Sequence, residues 1–130
     1  VELGEHLRRS RGARLILATP AIFAKGWLPS WLTVQDGAWV GRPDPALDLT
    51  LTLRAAAVAD WQPASMRDAA GTRSPLRRMV PAGSVYWFTV NGDPALAADL
   101  WLRPLSDHEK DRNDGFGLAL PGVWISPPTT

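Results

Sequence analysis

Near the end of the chain, two glycines flank a phenylalanine at Gly115, Phe116 and Gly117, directly after a charged segment. Glycine adopts backbone angles that are closed to other residues, and it lets another backbone approach closely. Successive N–H groups in such a turn can form a concave anion site. The pattern therefore indicates a phosphate-binding loop. The alternative is an ordinary turn in which glycine ends a helix before a strand.

A second candidate for anion binding is an arginine-rich link between two predicted strands. Arginine supplies all but two of the basic residues, and the link carries Arg67, Arg73, Arg77 and Arg78. The guanidinium group suits planar, bidentate contact with phosphate. An arginine-rich tip on a β-ribbon is a plausible phosphate contact, and a solvated loop would have the same composition.

Composition limits the class of protein. The chain has 130 residues, a net charge of +1, no cysteine and no apolar run long enough to span a membrane. We expect one cytoplasmic domain without disulfides or thiolate metal sites. A net charge so close to zero argues against a bulk polycation. Because the chain opens with Val1, we also expect a piece of a longer protein.

Residues that could run a reaction are few. His6 and His108 have no metal-ligand spacing, and no nucleotide-binding or serine-nucleophile motif occurs. His108 could act as a general acid or base but lacks a second partner. The acidic cluster at 107–114 could hold Mg²⁺, but the interleaved Lys110 and Arg112 favour an exposed, salt-bridged helix. We therefore predict no enzyme activity, no cofactor and no metal.

The periodicity of the chain predicts an α+β fold. Strands are predicted at 14–20, 47–54, 84–90 and after the glycine turn. A short helix at 21–31 would place Trp27 and Trp31 in the core, and Asp93 would cap a helix over 94–102. Ser106 and Glu109 match a capping box for a further helical turn, and residues 1–12 resemble a polar, partly helical and solvated lead-in. The order is βαββαβ, a ferredoxin-like (RRM-like) domain with long loop insertions.

One run of residues carries a family resemblance. Residues 107–124, DHEKDRNDGFGLALPGVW, resemble the C-terminal end of the third Cmr subunit, a RAMP-type protein of type III-B CRISPR effector complexes. The stretches LILATPAIFAKGWLP, RRMVPAGSVYWF and LWLRPLSD agree with this resemblance. It implies a protein of two ferredoxin-like domains, in which residues 1–130 form the C-terminal RAMP domain.

The resemblance also implies a function in antiviral defence. In that family the subunit is not an enzyme: it holds the 5′ handle of the CRISPR RNA and docks against the large polymerase-like subunit and other Cmr subunits. We predict seven RNA-binding residues, namely Lys25, Arg73, Arg77, Arg78, Gly115, Phe116 and Gly117. Two alternatives stay open: a metal-independent CRISPR RNA endoribonuclease that uses His108, and a pure protein-interaction module with exposed tryptophans as anchors.

Overall fold

The computed structural model describes residues 3–24, 26–58, 62–64 and 77–125. Helix α1 spans Leu3–Ser10, α2 spans Glu109–Asn113, and a 3₁₀ helix spans Pro94–Leu100. The strands are β1 (Arg11–Leu17), β2 (Leu32–Gln35), β3 (Ala38–Gly41), β4 (Thr50–Ala57), β5 (Gln62–Ala64), β6 (Arg77–Met79), β7 (Val85–Asn91) and β8 (Ala119–Ile125).

Six of these strands form one antiparallel sheet in the order β2-β3-β4-β7-β1-β8. Strand β1 lies between β7 and β8, with Leu15 opposite both Tyr86 and Pro121. The other two strands, β5 and β6, pair with each other as a separate ribbon. The sheet therefore joins the start, the middle and the end of the chain.

The alternating pattern predicted at 47–54 overlaps β4, which begins three residues later, at Thr50, and continues to Ala57. Leu49 and Leu51 are fully buried, whereas Thr50 between them is only partly buried and points to the other side of the sheet, as period-two alternation requires. A bulge follows Leu53, so the pairing with β7 shifts by one residue at Ala55. A bulge of this kind increases local twist and redirects the side chains that follow it.

The core lies on one side of the sheet, beneath α1 and the 3₁₀ helix. Leu7 of α1 packs there with Ala97 and Leu100 of the 3₁₀ helix and with the inward side chains of β1 and β7. The prediction of a helical start is confirmed, but the prediction that this segment is solvated is wrong. Leu3 and Leu7 are four residues apart, so they occupy one helix face, which the core covers.

The α+β class is confirmed, whereas the specific ferredoxin-like topology is not. The four predicted strands lie side by side in the order β4-β7-β1-β8. The predicted helix at 21–31 is wrong: the described residues there make isolated bridges and turns, and the β2–β3 hairpin that follows extends the same sheet. Pro29 and the positive φ of Gly26 (87°) oppose a continuous helix.

The predicted helix after β7 is present in a tighter form. Asp93 accepts a hydrogen bond from the Ala95 N–H (3.0 Å), which confirms the predicted cap, and Pro94 follows it. The helix is 3₁₀ and ends at Leu100, two residues earlier than predicted. Leu102 adopts a φ of 55° while its N–H donates to the Ala119 carbonyl (2.7 Å), which ties the helix end to β8.

Candidate nucleic-acid interface

The glycine turn is attached to the segment 19–21, which directly follows β1 and a short bend. The Gly117 N–H donates to the Pro20 carbonyl (2.7 Å). The Thr19 hydroxyl donates to the Gly115 carbonyl (2.7 Å) and accepts from the Leu118 N–H (2.9 Å). One threonine therefore binds both ends of the turn, and it lies almost a hundred residues away in the sequence.

Strand β6 is attached to the same segment. The Ala21 N–H donates to the Val80 carbonyl (2.9 Å), and the Val80 N–H donates to the Ala21 carbonyl (2.8 Å). Val80 directly follows the last residue of β6, the strand that contains Arg77 and Arg78. The arginine-bearing strand and the glycine turn are therefore held, at the level of the backbone, by three consecutive residues.

Four predicted RNA-binding positions have no described side chain. For Arg77 and Arg78 the structure describes the backbone alone, and Lys25 and Arg73 lie outside the described residues altogether. Contact of these four residues with RNA stays a prediction. The backbone of β6 nevertheless places Arg77 and Arg78 at the base of the predicted ribbon, because β6 pairs with β5 through Ala64, Pro63 and Gln62.

The interpretation of the glycine turn as an N–H anion site is not supported by its hydrogen bonds. The Gly115 N–H donates to the Arg112 carbonyl (3.1 Å), and the Phe116 N–H donates to the Asp111 carbonyl (3.0 Å). The next two N–H groups bind Pro20 and Thr19, as described above. All four donors are therefore used within the protein, so phosphate would have to displace an existing hydrogen bond.

The two glycines of the turn have different surroundings. Both have positive φ, 85° at Gly115 and 81° at Gly117, which explains why glycine is needed at each. A Cβ at Gly115 would meet nothing within 4 Å, whereas a Cβ at Gly117 would lie 2.8 Å from the Ser106 Oγ. Gly117 is buried and packs inward, while Gly115 and Phe116 are half-buried. RNA contact at all three stays a prediction, with an open approach only at Gly115.

Ser106 has a different role from the capping box that the sequence predicts. Its hydroxyl donates to the Phe116 carbonyl (2.9 Å) and accepts from the Ile22 N–H (3.0 Å), and the residue is buried. Helix α2 begins at Glu109, with His108 at the N-cap position and no side-chain cap. The capping-box prediction is therefore wrong, because tertiary hydrogen bonds to two distant backbones occupy the Ser106 hydroxyl.

The acidic cluster does not form a metal site in the described part of the chain. Asp107 accepts from the Ala24 N–H (2.7 Å) and the Ser30 N–H (3.1 Å). Asp114 pairs with Lys110 (3.1 Å) on the exposed side of α2. Among the described residues, no group of three or more His, Asp or Glu side chains could hold a metal ion. Asp107 thus fixes the loop after β1, and His108 next to it is exposed.

The sequence did not predict a cleft of about 470 Å³, which Ser106 also lines. Three arginines line it together with Trp31: Arg42, which directly follows β3, and Arg103 and Arg112 from the segment before the glycine turn. Arg112 donates to the carbonyls of Ser106 (2.9 Å) and Asp107 (2.7 Å). No local pattern could have predicted this cleft, because the long-range contacts of residues 103–107 bring its parts together.

The arginines of the cleft are partly committed to structural contacts. Arg42 donates to the carbonyls of Leu47 and Pro45, and Arg103 pairs with Asp44. A guanidinium group has five N–H donors, so each arginine retains further donors beyond these contacts. Asp44 and Asp107 also line the cleft, so its charge is mixed rather than uniformly basic.

Comparison with known proteins identifies the class of protein. The chain matches the family model described as CRISPR-associated protein (Cas_Cmr3) over residues 2–124. The match covers nearly the entire chain, including the glycine turn and β6, and it defines a CRISPR-associated subunit. The chain belongs to the Cas_Cmr3 family.

No curated protein and no solved structure matches the chain. In the part of the chain that the structure describes, no helix has the length and apolar character needed to cross a membrane.

Proposed function

We propose that this protein is a non-catalytic, RNA-binding subunit of a type III-B Cmr complex, acting in the cytoplasm in antiviral defence. It would hold the 5′ handle of the CRISPR RNA and dock against neighbouring subunits, including the large polymerase-like subunit. Family membership supports this role. The geometric observation that carries it is the shared attachment of the glycine turn and β6 to residues 19–21.

The proposed contact with RNA uses two kinds of group. Arg77 and Arg78, on the strand held beside the turn, would bind phosphates through their guanidinium groups, with Arg73 and Lys25 as further contacts. At Gly115 the absence of a side chain leaves room for the sugar–phosphate backbone to approach. The N–H groups of the turn already form hydrogen bonds within the protein. The turn would therefore contribute space for close approach of the RNA backbone rather than hydrogen-bond donors.

The docking part of the proposal is supported by exposed apolar side chains beside β8. Trp101 is 55% exposed and Leu102 is 49% exposed, and they are consecutive in the sequence. The positive φ of Leu102 is uncommon for a residue with a large side chain. Adjacent exposed Trp and Leu side chains resemble the anchors of protein interfaces, in which aromatic residues carry much of the binding energy.

The experiment for the proposed function measures affinity for handle RNA as a function of salt. The wild-type protein is compared with Arg77→Ala, Arg78→Ala and the double variant, each assembled with its complex. Each lost phosphate contact lowers the magnitude of the slope of log K against log salt by about 0.7 for single strands. We expect a weaker affinity and a shallower slope for each variant, with the larger change in the double variant.

The matched control is Arg9→Ala, which removes one arginine from the exposed surface of α1. It corrects for the general effect of lowering the net charge. If Arg77→Ala and Arg78→Ala change the affinity and the slope no more than Arg9→Ala does, the proposed phosphate contacts are wrong.

A further inference from the structure

The face of the sheet opposite the core forms a continuous surface across its central strands. Residues paired directly across antiparallel strands lie on the same face. Trp87 of β7 pairs with Arg14 of β1, and Arg14 pairs with Gly122 of β8. Their neighbours along the strands, Ala13 and Phe88, are buried in the core. Trp87, Arg14 and Gly122 therefore form one row on the outer side, which we call the open face.

A second row lies next to the first on the open face. Thr89 of β7 pairs with Gly12 of β1, and Gly12 pairs with Trp124 of β8. The two rows together carry two tryptophans, Trp87 and Trp124, both only partly buried. Neither α1 nor the 3₁₀ helix lies on this face, since both pack on the core side of the sheet. Within the described part of the chain, the open face is not covered by a helix.

Two glycines allow large side chains to lie flat on this face. A Cβ at Gly12 would be 2.9 Å from the Cε3 atom of the Trp124 ring, so the indole lies directly over Gly12. A Cβ at Gly122 would be 2.8 Å from the Arg14 Nε, so the guanidinium stem lies directly over Gly122. Both distances exclude any side chain at these positions without movement of the ring or the arginine. Because Gly12 and Gly122 have no side chains, the indole of Trp124 and the side chain of Arg14 can lie close to the backbone of the sheet.

The charge of the strands has one sign. The eight strands contain five arginines and no aspartate or glutamate. On the open face, Arg14 is exposed and makes no hydrogen bond or ion pair with a described residue. Arg54 of β4 is exposed as well, and its Nε donates to the Thr89 hydroxyl (3.1 Å), which holds it over the second row. Two guanidinium groups therefore lie on a surface that no strand carboxylate neutralises.

We propose that the open face binds single-stranded RNA, with bases stacked on Trp87 and Trp124 and phosphates bound by Arg14 and Arg54. Every base has a π-face, so aromatic platforms bind single strands without sequence preference. Sheet faces that carry aromatic residues are a general means of holding splayed RNA bases. The proposal rests on the RNA-binding function proposed above and adds a surface whose residues differ from those of the glycine turn and β6.

The test uses a fluorescent single-stranded RNA of the handle sequence and a blunt RNA duplex of the same length, with the protein assembled in its complex. Stacking and charge contacts have different signatures. Trp87→Leu and Trp124→Leu should weaken single-strand binding by about tenfold without changing the salt slope. Arg14→Gln and Arg54→Gln should each reduce the magnitude of the slope by about 0.7. Trp87→Phe keeps an aromatic ring and should retain most of the affinity.

The control is Val34→Ala, which removes an exposed apolar side chain from the edge strand β2, where no RNA contact is proposed. It should leave RNA affinity unchanged. Circular dichroism and thermal melting of each variant establish that the fold is intact. If Trp124→Leu fails to fold, Trp87→Leu and Trp87→Phe decide the question.

Three results would overturn the proposal. The first is a wild-type affinity for Trp87→Leu, and the second is equal binding of the single strand and the duplex. The third is a Trp87→Leu protein that folds but no longer joins the complex, which would make the open face a protein interface. The outcomes separate the two proposals: if Arg77→Ala and Arg78→Ala weaken binding and the open-face variants do not, only this inference fails. If wild-type protein binds no handle RNA, the proposed function fails first.

Discussion

The two faces of the central sheet are built from the same strands and have opposite properties. On β7, Phe88 is fully buried and contacts the ring of Trp31, with ring centroids 5.8 Å apart, whereas Trp87 beside it faces outward. The core face contains leucines, Phe88 and Tyr86, and the open face contains arginines, threonines and two partly exposed indoles. The core face therefore sets the stability of the fold, whereas the side chains of the open face are partly accessible to solvent.

The largest expected effect on stability is at Phe88, and the comparison is with its sequence neighbour Trp87 on the opposite face. Phe88→Ala removes a fully buried ring and leaves a cavity, so we expect the free energy of unfolding to fall by about 3–5 kcal/mol. Trp87→Ala removes a larger side chain that is already partly in water, and it should cost clearly less. Chemical denaturation of both variants measures the difference. Equal losses at the two positions would contradict the distinction between the faces.

The next effect tests whether the open face is closely packed where Trp124 lies over Gly12. In Gly12→Ala the new Cβ would be 2.3 Å from the Trp124 carbonyl oxygen, so β1 and β8 must separate locally. We expect a loss of about 1–3 kcal/mol in the free energy of unfolding. The matched control is Gly4→Ala in α1, where the Cβ would lie 3.4 Å from the Ala95 Cβ.

The control should be neutral or stabilising, since alanine is the better helix former by roughly 1 kcal/mol. Thermal denaturation of the two alanine variants provides the comparison. A Gly12→Ala protein as stable as Gly4→Ala would show that the indole does not need the space above Gly12.

The sequence predicted the core face better than it predicted the site. Alternation along β4 and the apolar run of β1 are local patterns, and burial on one side of a sheet follows from them. The class of the fold and the Asp93 cap were therefore predictable. The irregular path of residues 21–31 was not predictable, because the spacing of Trp27 and Trp31 contains only local information and wrongly indicated a helix. The path of that segment depends on hydrogen bonds to Val80 and Asp107, which are distant in sequence.

The candidate site, too, could be predicted only where it depends on local sequence. The glycine turn was recognisable from its sequence, and its positive φ angles are confirmed. Its N–H partners were not predictable, because Pro20 and Thr19 reach it from the other end of the chain. The open face required knowledge of the register: only the pairing of Arg14 with both Trp87 and Gly122 places these residues in one row.

The smallest effect concerns Tyr86, the one tyrosine of the chain, which lies on the core face. Its hydroxyl donates to the Trp27 carbonyl, an acceptor that requires the protonated phenol. Burial raises the pKa of Tyr86 above its usual range. Tyr86→Phe should lower the free energy of unfolding at neutral pH by about 0.5–1.5 kcal/mol, the usual net value of one hydrogen bond.

The pH dependence of this variant follows from the direction of the pKa shift. The unfolded chain releases the phenol proton near pH 10, whereas the folded protein holds it to higher pH. Above about pH 10 the folded state therefore binds more protons, and the stability of the wild-type protein falls as the pH rises. Tyr86→Phe lacks this term, so its stability should fall less steeply there and the gap between the two proteins should close. Because no other tyrosine contributes, tyrosinate absorbance reports this group alone: its appearance near pH 10 in protein that remains folded would show that the core face admits water at Tyr86.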